Sequence, residues 1–149
     1  MGKKILVLNG PNLNLLGQRD PGVYGTVTLA QVNQTLQEQA KLWGATCDTF
    51  QSNHEGDLID QIQGARGMYD GIILNAGALT HYSYALHDAI QDTPVPVIEV
   101  HISNIYARDA FRAQSVLSPV CQGTIAGFGT QGYTLALYAL VHREGESTT

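Results

Sequence analysis

Short apolar runs alternate with stretches of helical periodicity along the chain. Ile5-Leu6-Val7-Leu8 has the length and branching of a buried strand. Residues 9–27 break the pattern with Gly10, Pro11, Gly17, Pro21, Gly22 and Gly25, which predicts a long polar loop. Thr28, with Gln31 three positions on, forms a capping-box signature. Leu29, Val32, Leu36 and Trp43 then recur at helical spacing until Gly44 stops the helix. Residues 45–51 predict a second strand, and Asn53 is the expected cap of a helix whose Leu58, Ile59, Ile62 and Ala65 share one face. Residues 71–74 predict a third strand. The next helix, 82–91, has Tyr82, Ala85, Leu86, Ala89 and Ile90 as its apolar stripe. Beyond Pro94 and Pro96, residues 97–100 predict a fourth strand, residues 105–113 a short helical turn, residues 124–126 a fifth strand and residues 130–142 the last helix. The polar tail, residues 144–149, is expected to fray.

Five strand–helix units imply an α/β fold with a parallel sheet covered on both faces. Right-handed crossovers make a flavodoxin-like three-layer sandwich with strand order 2-1-3-4-5 the expected layout, in a single domain over residues 1–149. Ligands of such sheets sit outside the carboxyl ends of the strands, and these ends carry the chemistry here. The first is followed by Asn9, Asn12, Asn14, Arg19 and Tyr24, and the second by Gln51, Ser52, Asn53, His54 and Glu55. The third leads into Asn75, Thr80 and His81, and the fourth into Glu99, His101, Ser103 and Asn104, then Arg108 and Arg112.

Many of these residues have an ordinary structural explanation. Asn14 and Asn53 suit loop bonding and caps, His54 a solvated loop, and His87 and His142 helix surfaces. Tyr82, Tyr84, Tyr133 and Tyr138 fit helix stripes or interfaces. Asp57 and Asp60 suit the first turn of a helix. Glu99 and His101 are two apart on a strand, so they share a face, and a carboxylate there orients an imidazole and stabilises its cation. That arrangement suits a general acid, with a structural ion pair as the lesser alternative. Arg19 and Tyr24 share a Gly- and Pro-punctuated loop of the kind that closes as a lid, and a neighbouring guanidinium favours tyrosinate.

Composition narrows the choices. The 149 residues carry a net charge of −5, with eight Lys and Arg in all and no basic run, which argues against a nucleic-acid partner. Charged residues make up only 14%, against about 25% in typical domains, which favours a surface hidden in an oligomer. No stretch reaches the ~18 apolar residues of a membrane span, and no signal-peptide pattern opens the chain, so a cytoplasmic location is expected. Cys47 and Cys121 lack metal spacing and are expected in strand-like apolar surroundings, and no His or Cys spacing argues for a metal. Residues 127–132 match GxGxxG but follow the last strand, so a dinucleotide site is not expected. P-loop and GxSxG motifs are absent.

Six segments together carry a resemblance. They are residues 8–17 (LNGPNLNLLG), 19–25 (RDPGVYG), 51–56 (QSNHEG), 75–81 (NAGALTH), 99–104 (EVHISN) and 108–112 (RDAFR). In order and spacing they resemble the type II 3-dehydroquinate dehydratases over about residues 4–142. The resemblance implies Tyr24 as proton acceptor, Arg19 as its activator, Asn12 as holder of a water against the enolate, and His101 as proton donor oriented by Glu99. It implies Asn75, His81, Ser103, Arg112 and the backbone at Ile102 as contacts to the substrate's carboxylate and hydroxyls, with Arg108 a second lid-region arginine. The chain departs from the family pattern at Asp20, Ala76, Leu79 and His87.

The implied reaction is anti elimination of water from 3-dehydroquinate through an enolate to 3-dehydroshikimate, in the shikimate route to aromatic amino acids, with no cofactor and no metal. Removing a weakly acidic C–H and expelling a poor leaving group requires a base, enolate stabilisation and an acid. Lys3, Lys4 and Lys41 lie at a strand start and a helix surface, which argues against a Schiff base. The implied assembly is a homododecamer, a tetramer of trimers, with Asp88 reaching a neighbouring subunit's site. The alternatives are the same reaction in quinate catabolism and a flavodoxin-like binding module without chemistry.

Overall fold

The computed structural model describes residues 2–18 and 25–143. Strand β1 (Lys4–Asn9) leads through a single 3-10 turn (Leu13–Leu15) towards helix α1 (Leu29–Leu42). Thr28 caps α1 as expected: its hydroxyl accepts the Gln31 N–H at 3.2 Å and the Gln31 side chain accepts the Thr28 N–H at 2.9 Å. Gly44, at φ 73°, takes the left-handed turn that ends the helix. Then come β2 (Thr46–Gln51), α2 (Glu55–Gly64), β3 (Gly71–Asn75), α3 (Tyr84–Asp92), β4 (Val97–His101), β5 (Gly123–Ala126) and α4 (Gln131–Val141).

All strand pairs are parallel and the order is β2-β1-β3-β4-β5. The two-residue strand period divides the core between the faces. Ile5, Val7, Ile73, Ile98 and Val100 pack against Val32 and Leu36 of α1 and Tyr133, Ala136, Leu137 and Leu140 of α4. Leu6, Leu8, Ile72, Leu74 and Val97 pack against Leu58 and Ile62 of α2 and Leu86 and Ile90 of α3. The central strands β1, β3 and β4 are buried on both sides because helices cover both, while the edge strands β2 and β5 are partly exposed.

Four local expectations are corrected. Asn53 does not cap α2. His54 holds the cap position without a side-chain bond, and the Asn53 Oδ1 instead accepts the Asn12 N–H at 2.9 Å. Tyr82 lies outside α3, which starts after a Ser83 cap, and Tyr82 is 60% exposed and so not part of the stripe. The 105–113 turn is two separate 3-10 turns, Ile105–Ala107 and Ala110–Arg112. Cys47 is buried in β2, but Cys121 follows a 3-10 turn (Ser118–Val120) outside any strand; burial pushes each thiol up to about 12, which disfavours the thiolate. Arg19, Asp20, Tyr24 and the tail 144–149 lie outside the described residues.

Candidate active site

The sheet order reverses between β1 and β3, and the loops leaving these strands touch there. A Cβ on Gly10 would lie 2.6 Å from the Ala76 carbonyl oxygen, and one on Gly77, at φ 61°, would lie 2.9 Å from the Pro11 carbonyl oxygen. Only glycine permits both approaches. Asn12 takes the left-handed conformation at φ 71°. It is the only described non-glycine residue to do so, and asparagine tolerates it best.

A cleft of about 140 Å³ opens above this crossing. Its walls bring together Pro11, Asn12, Leu13 and Leu16 from the first loop, Asn75, Gly77, Ala78 and His81 from the third, and His101, Ile102, Ser103, Ile105, Arg108 and Arg112 from the fourth. Thus Asn12, Asn75, His81, His101, Ile102, Ser103, Arg108 and Arg112 line one cavity. Two positively charged guanidinium groups give it a local field opposite in sign to the protein's net charge. Lys3, Lys4 and Lys41 are elsewhere: Lys3 bonds the Leu140 carbonyl, Lys4 stacks over Tyr69, and Lys41 sits in the last turn of α1. Asp88 does not line this cleft; its side chain is 71% exposed and pairs with His87 at 3.1 Å.

Glu99 stands behind the cleft wall, fully buried, with its Oε2 bonded to His101 Nε2. That contact leaves Nδ1 as the ring nitrogen not engaged by Glu99, and His101 itself lines the cleft. Three hydroxyls complete the carboxylate's shell. Ser115 donates to Oε2 at 2.8 Å, while Ser118 and Thr124 donate to Oε1 at 2.5 and 3.3 Å. Burial works to raise the Glu99 pKa, but the His101 hydrogen bond and charge, with the Ser118 and Ser115 hydroxyls, outweigh it and hold the carboxyl below its ordinary value. These contacts favour Glu99 as a carboxylate and fix the orientation of the His101 ring.

His81 is also fixed. Its Nδ1–H donates to the Gln114 carbonyl at 2.8 Å, which fixes the ring and leaves Nε2 for other contacts. Asn75 gives Oδ1 to the Gly77 N–H at 3.2 Å and donates from Nδ2 to the Tyr133 hydroxyl at 2.9 Å. Ser115, Ser118, Thr124 and Tyr133 were not singled out as site-supporting residues by sequence. The first three come from a loop and an edge strand that no short motif ties to Glu99, and Tyr133 lies on a helix stripe that core packing already explains. Among the described residues no group of three or more His, Cys, Asp or Glu is placed to hold a metal ion, and no helix is long and apolar enough to cross a membrane.

A family model described as Dehydroquinase class II matches residues 3–141. A 3-dehydroquinate dehydratase of Bacillus cytotoxicus is 55% identical over 145 residues, covering 97% of this chain and 99% of that one. The crystal structure of type II dehydroquinase from Propionibacterium acnes has a TM-score of 0.91 at 43% identity, covering 95% of this chain and 97% of that one. That of type II dehydroquinase from Butyrivibrio crossotus has a TM-score of 0.91 at 46% identity, covering 93% and 97%.

Proposed function

The chain belongs to the class II dehydroquinase family, and from that premise we propose how its cleft carries out the reaction. The activity is that of a 3-dehydroquinate dehydratase: a hydro-lyase that converts 3-dehydroquinate to 3-dehydroshikimate in the shikimate pathway. This sets aside the binding module without chemistry.

The substrate is a cyclic β-hydroxy ketone bearing a carboxylate. Tyr24, as tyrosinate favoured by the Arg19 guanidinium, takes the proton from the carbon next to the ketone. The C–H electron pair moves to form the enolate, whose oxygen is met by a water held by Asn12. The enolate then collapses, the C–O bond breaks, and His101 delivers its Nδ1 proton to the departing hydroxyl as water leaves. Glu99 keeps the other ring nitrogen engaged throughout, so the imidazolium forms and discharges in one orientation. Arg112, Ser103, Asn75, His81 and the backbone at Ile102 bind the carboxylate and hydroxyls. Arg108 adds cationic field beside Ser103, with Nη1 3.5 Å from its hydroxyl.

The observation that carries this reading is the Glu99–His101 pair facing a cleft that also holds Arg108 and Arg112. An acid, a cationic cradle and uncharged polar donors occur together, and no lysine is present to form a Schiff base. Enone absorbance should grow when 3-dehydroquinate is added to metal-free protein. Tyr24→Phe should lose nearly all turnover while keeping its circular-dichroism spectrum, and normal turnover by that variant would remove Tyr24 as the base.

The same reading includes assembly. We propose a cytoplasmic homododecamer, four trimers, in which the exposed Asp88 completes a neighbouring subunit's cleft. Exposed aromatic residues on the protomer, among them Tyr84, Phe111 and Phe128 at 61–69%, support burial of this surface between copies. Sedimentation giving a stable, active monomer would contradict it.

A further inference from the structure

Beneath the cleft lies a buried hydrogen-bond chain that the reaction as described does not use. Strand periodicity creates it. Asn9 and Asn75 fall in phase with Val7 and Ile73, so both face α4, and the β1–β3 register places them side by side. Tyr133 of α4 is fully buried and reaches both amides with its hydroxyl. Asn75 Nδ2 donates to that hydroxyl at 2.9 Å, and the hydroxyl donates to Asn9 Oδ1 at 2.5 Å.

The direction of the chain is dictated by its first member. The Gly77 backbone N–H can only donate, so Asn75 must turn Oδ1 towards it and Nδ2 towards Tyr133. The phenol oxygen therefore accepts from Asn75, and its single proton is left for Asn9. Burial pushes the Tyr133 phenol well above its ordinary pKa, so that proton stays in place. The unmatched atom is Asn9 Nδ2, buried without a partner, and no atom of Asn75 is left in that state.

We infer that Tyr133 is a positioning residue for the dehydration: by accepting one N–H of Asn75 it anchors, together with the Gly77 N–H on Oδ1, an amide whose second N–H, and not its carbonyl, serves the bound substrate. The inference rests on the reading that Asn75 contacts the substrate. A carboxylate or hydroxyl oxygen needs a donor there, and a turned amide would present an acceptor instead. With the substrate carboxylate as its partner, a group that stays unchanged through the reaction, the Asn75 N–H is used alike in ground state and transition state, and its loss appears in KM.

The test is a steady-state cycle on the full-length protein with Tyr133→Phe, Asn75→Ala and the double variant. Tyr133→Phe should raise KM about tenfold, one hydrogen bond's worth, and leave kcat within about threefold. The double variant should have a KM within about twofold of Asn75→Ala alone. A role confined to folding would lower stability without that split or that non-additivity. The inference is overturned if Tyr133→Phe keeps the parental KM, or if the two substitutions multiply in full. Asn75→Ala with the parental KM would refute the substrate contact itself, and the inference falls with it; that result is read from the single variant and so is distinct. Should Tyr133→Phe fail to fold, Asn9→Ala leaves the phenol in place and frees its proton to turn towards Asn75. A severalfold rise in KM, absent in the Asn75→Ala background, supports the inference, and the parental KM overturns it.

Discussion

Removing the Ser118 hydroxyl tests how the buried Glu99 carboxylate is kept charged. In the parent protein Oε1 accepts from Ser118 at 2.5 Å and from Thr124 at 3.3 Å, while Oε2 serves Ser115 and His101. Ser118→Ala leaves Oε1 with the long Thr124 bond alone, in a side chain with no solvent exposure to compensate. A hydrogen bond to a charged group contributes about 1.5–3 kcal/mol, so the loss should be about 2 kcal/mol. For a chain of this size that corresponds to a fall in Tm of about 4–8 °C at fixed protein concentration. The assay is urea unfolding of four proteins: the parent, Ser118→Ala, Glu99→Gln and the double variant. If the hydroxyl acts on the Glu99 charge, Ser118→Ala should cost much less in the Glu99→Gln background, with a coupling of about 1–2 kcal/mol. A cost below about 0.5 kcal/mol, or full additivity, would refute the argument that these hydroxyls hold the carboxylate.

Acid should erase part of the same contribution. The Glu99 pKa is lowered in the folded state, so the unfolded chain takes up the proton first. The stabilisation is complete above the ordinary value of 4.5 and is lost as pH falls through the lowered folded value. The stability deficit of Glu99→Gln should therefore be largest near neutrality and shrink in acid, and a deficit unchanged across urea titrations at descending pH would contradict this. At the loop crossing, Gly77→Ala must hold φ 61° and place a Cβ 2.9 Å from the Pro11 carbonyl oxygen. It should cost at least about 1 kcal/mol in unfolding and raise KM, since both Asn75 and the first loop are anchored there; a fully stable and active variant would show that the crossing is not needed.

The parts of the structure legible in the sequence are those set by local rules. The capping box at Thr28 and Gln31, the Gly44 stop and the five strand segments are each decided within a few residues, and the crossover rule then orders the strands. Glu99 and His101 were legible as a pair for the same reason, because a strand period of two forces them onto one face. Asn53 was misassigned because its side chain had two uses, a local cap and a bond to the Asn12 backbone 41 positions away, and the distant one prevails. The hydroxyl shell of Glu99 and the Asn9–Tyr133–Asn75 chain were not legible. Their partners meet only after the sheet forms, and serine, threonine or tyrosine at such spacings carries no short-range signature. For Tyr24 and Arg19 the loop composition points only to a lid and a favoured tyrosinate, and the resemblance supplies the catalytic roles.

The central claim is that His101 hands its proton to the departing hydroxyl. It is tested most directly by the steady-state kinetics of His101→Ala with 3-dehydroquinate. A positioned general acid contributes about 10²–10⁴ in rate, so kcat should fall by that factor while KM stays within severalfold of the parent. A kcat within about tenfold of the parent would contradict the account and move the acid to another group.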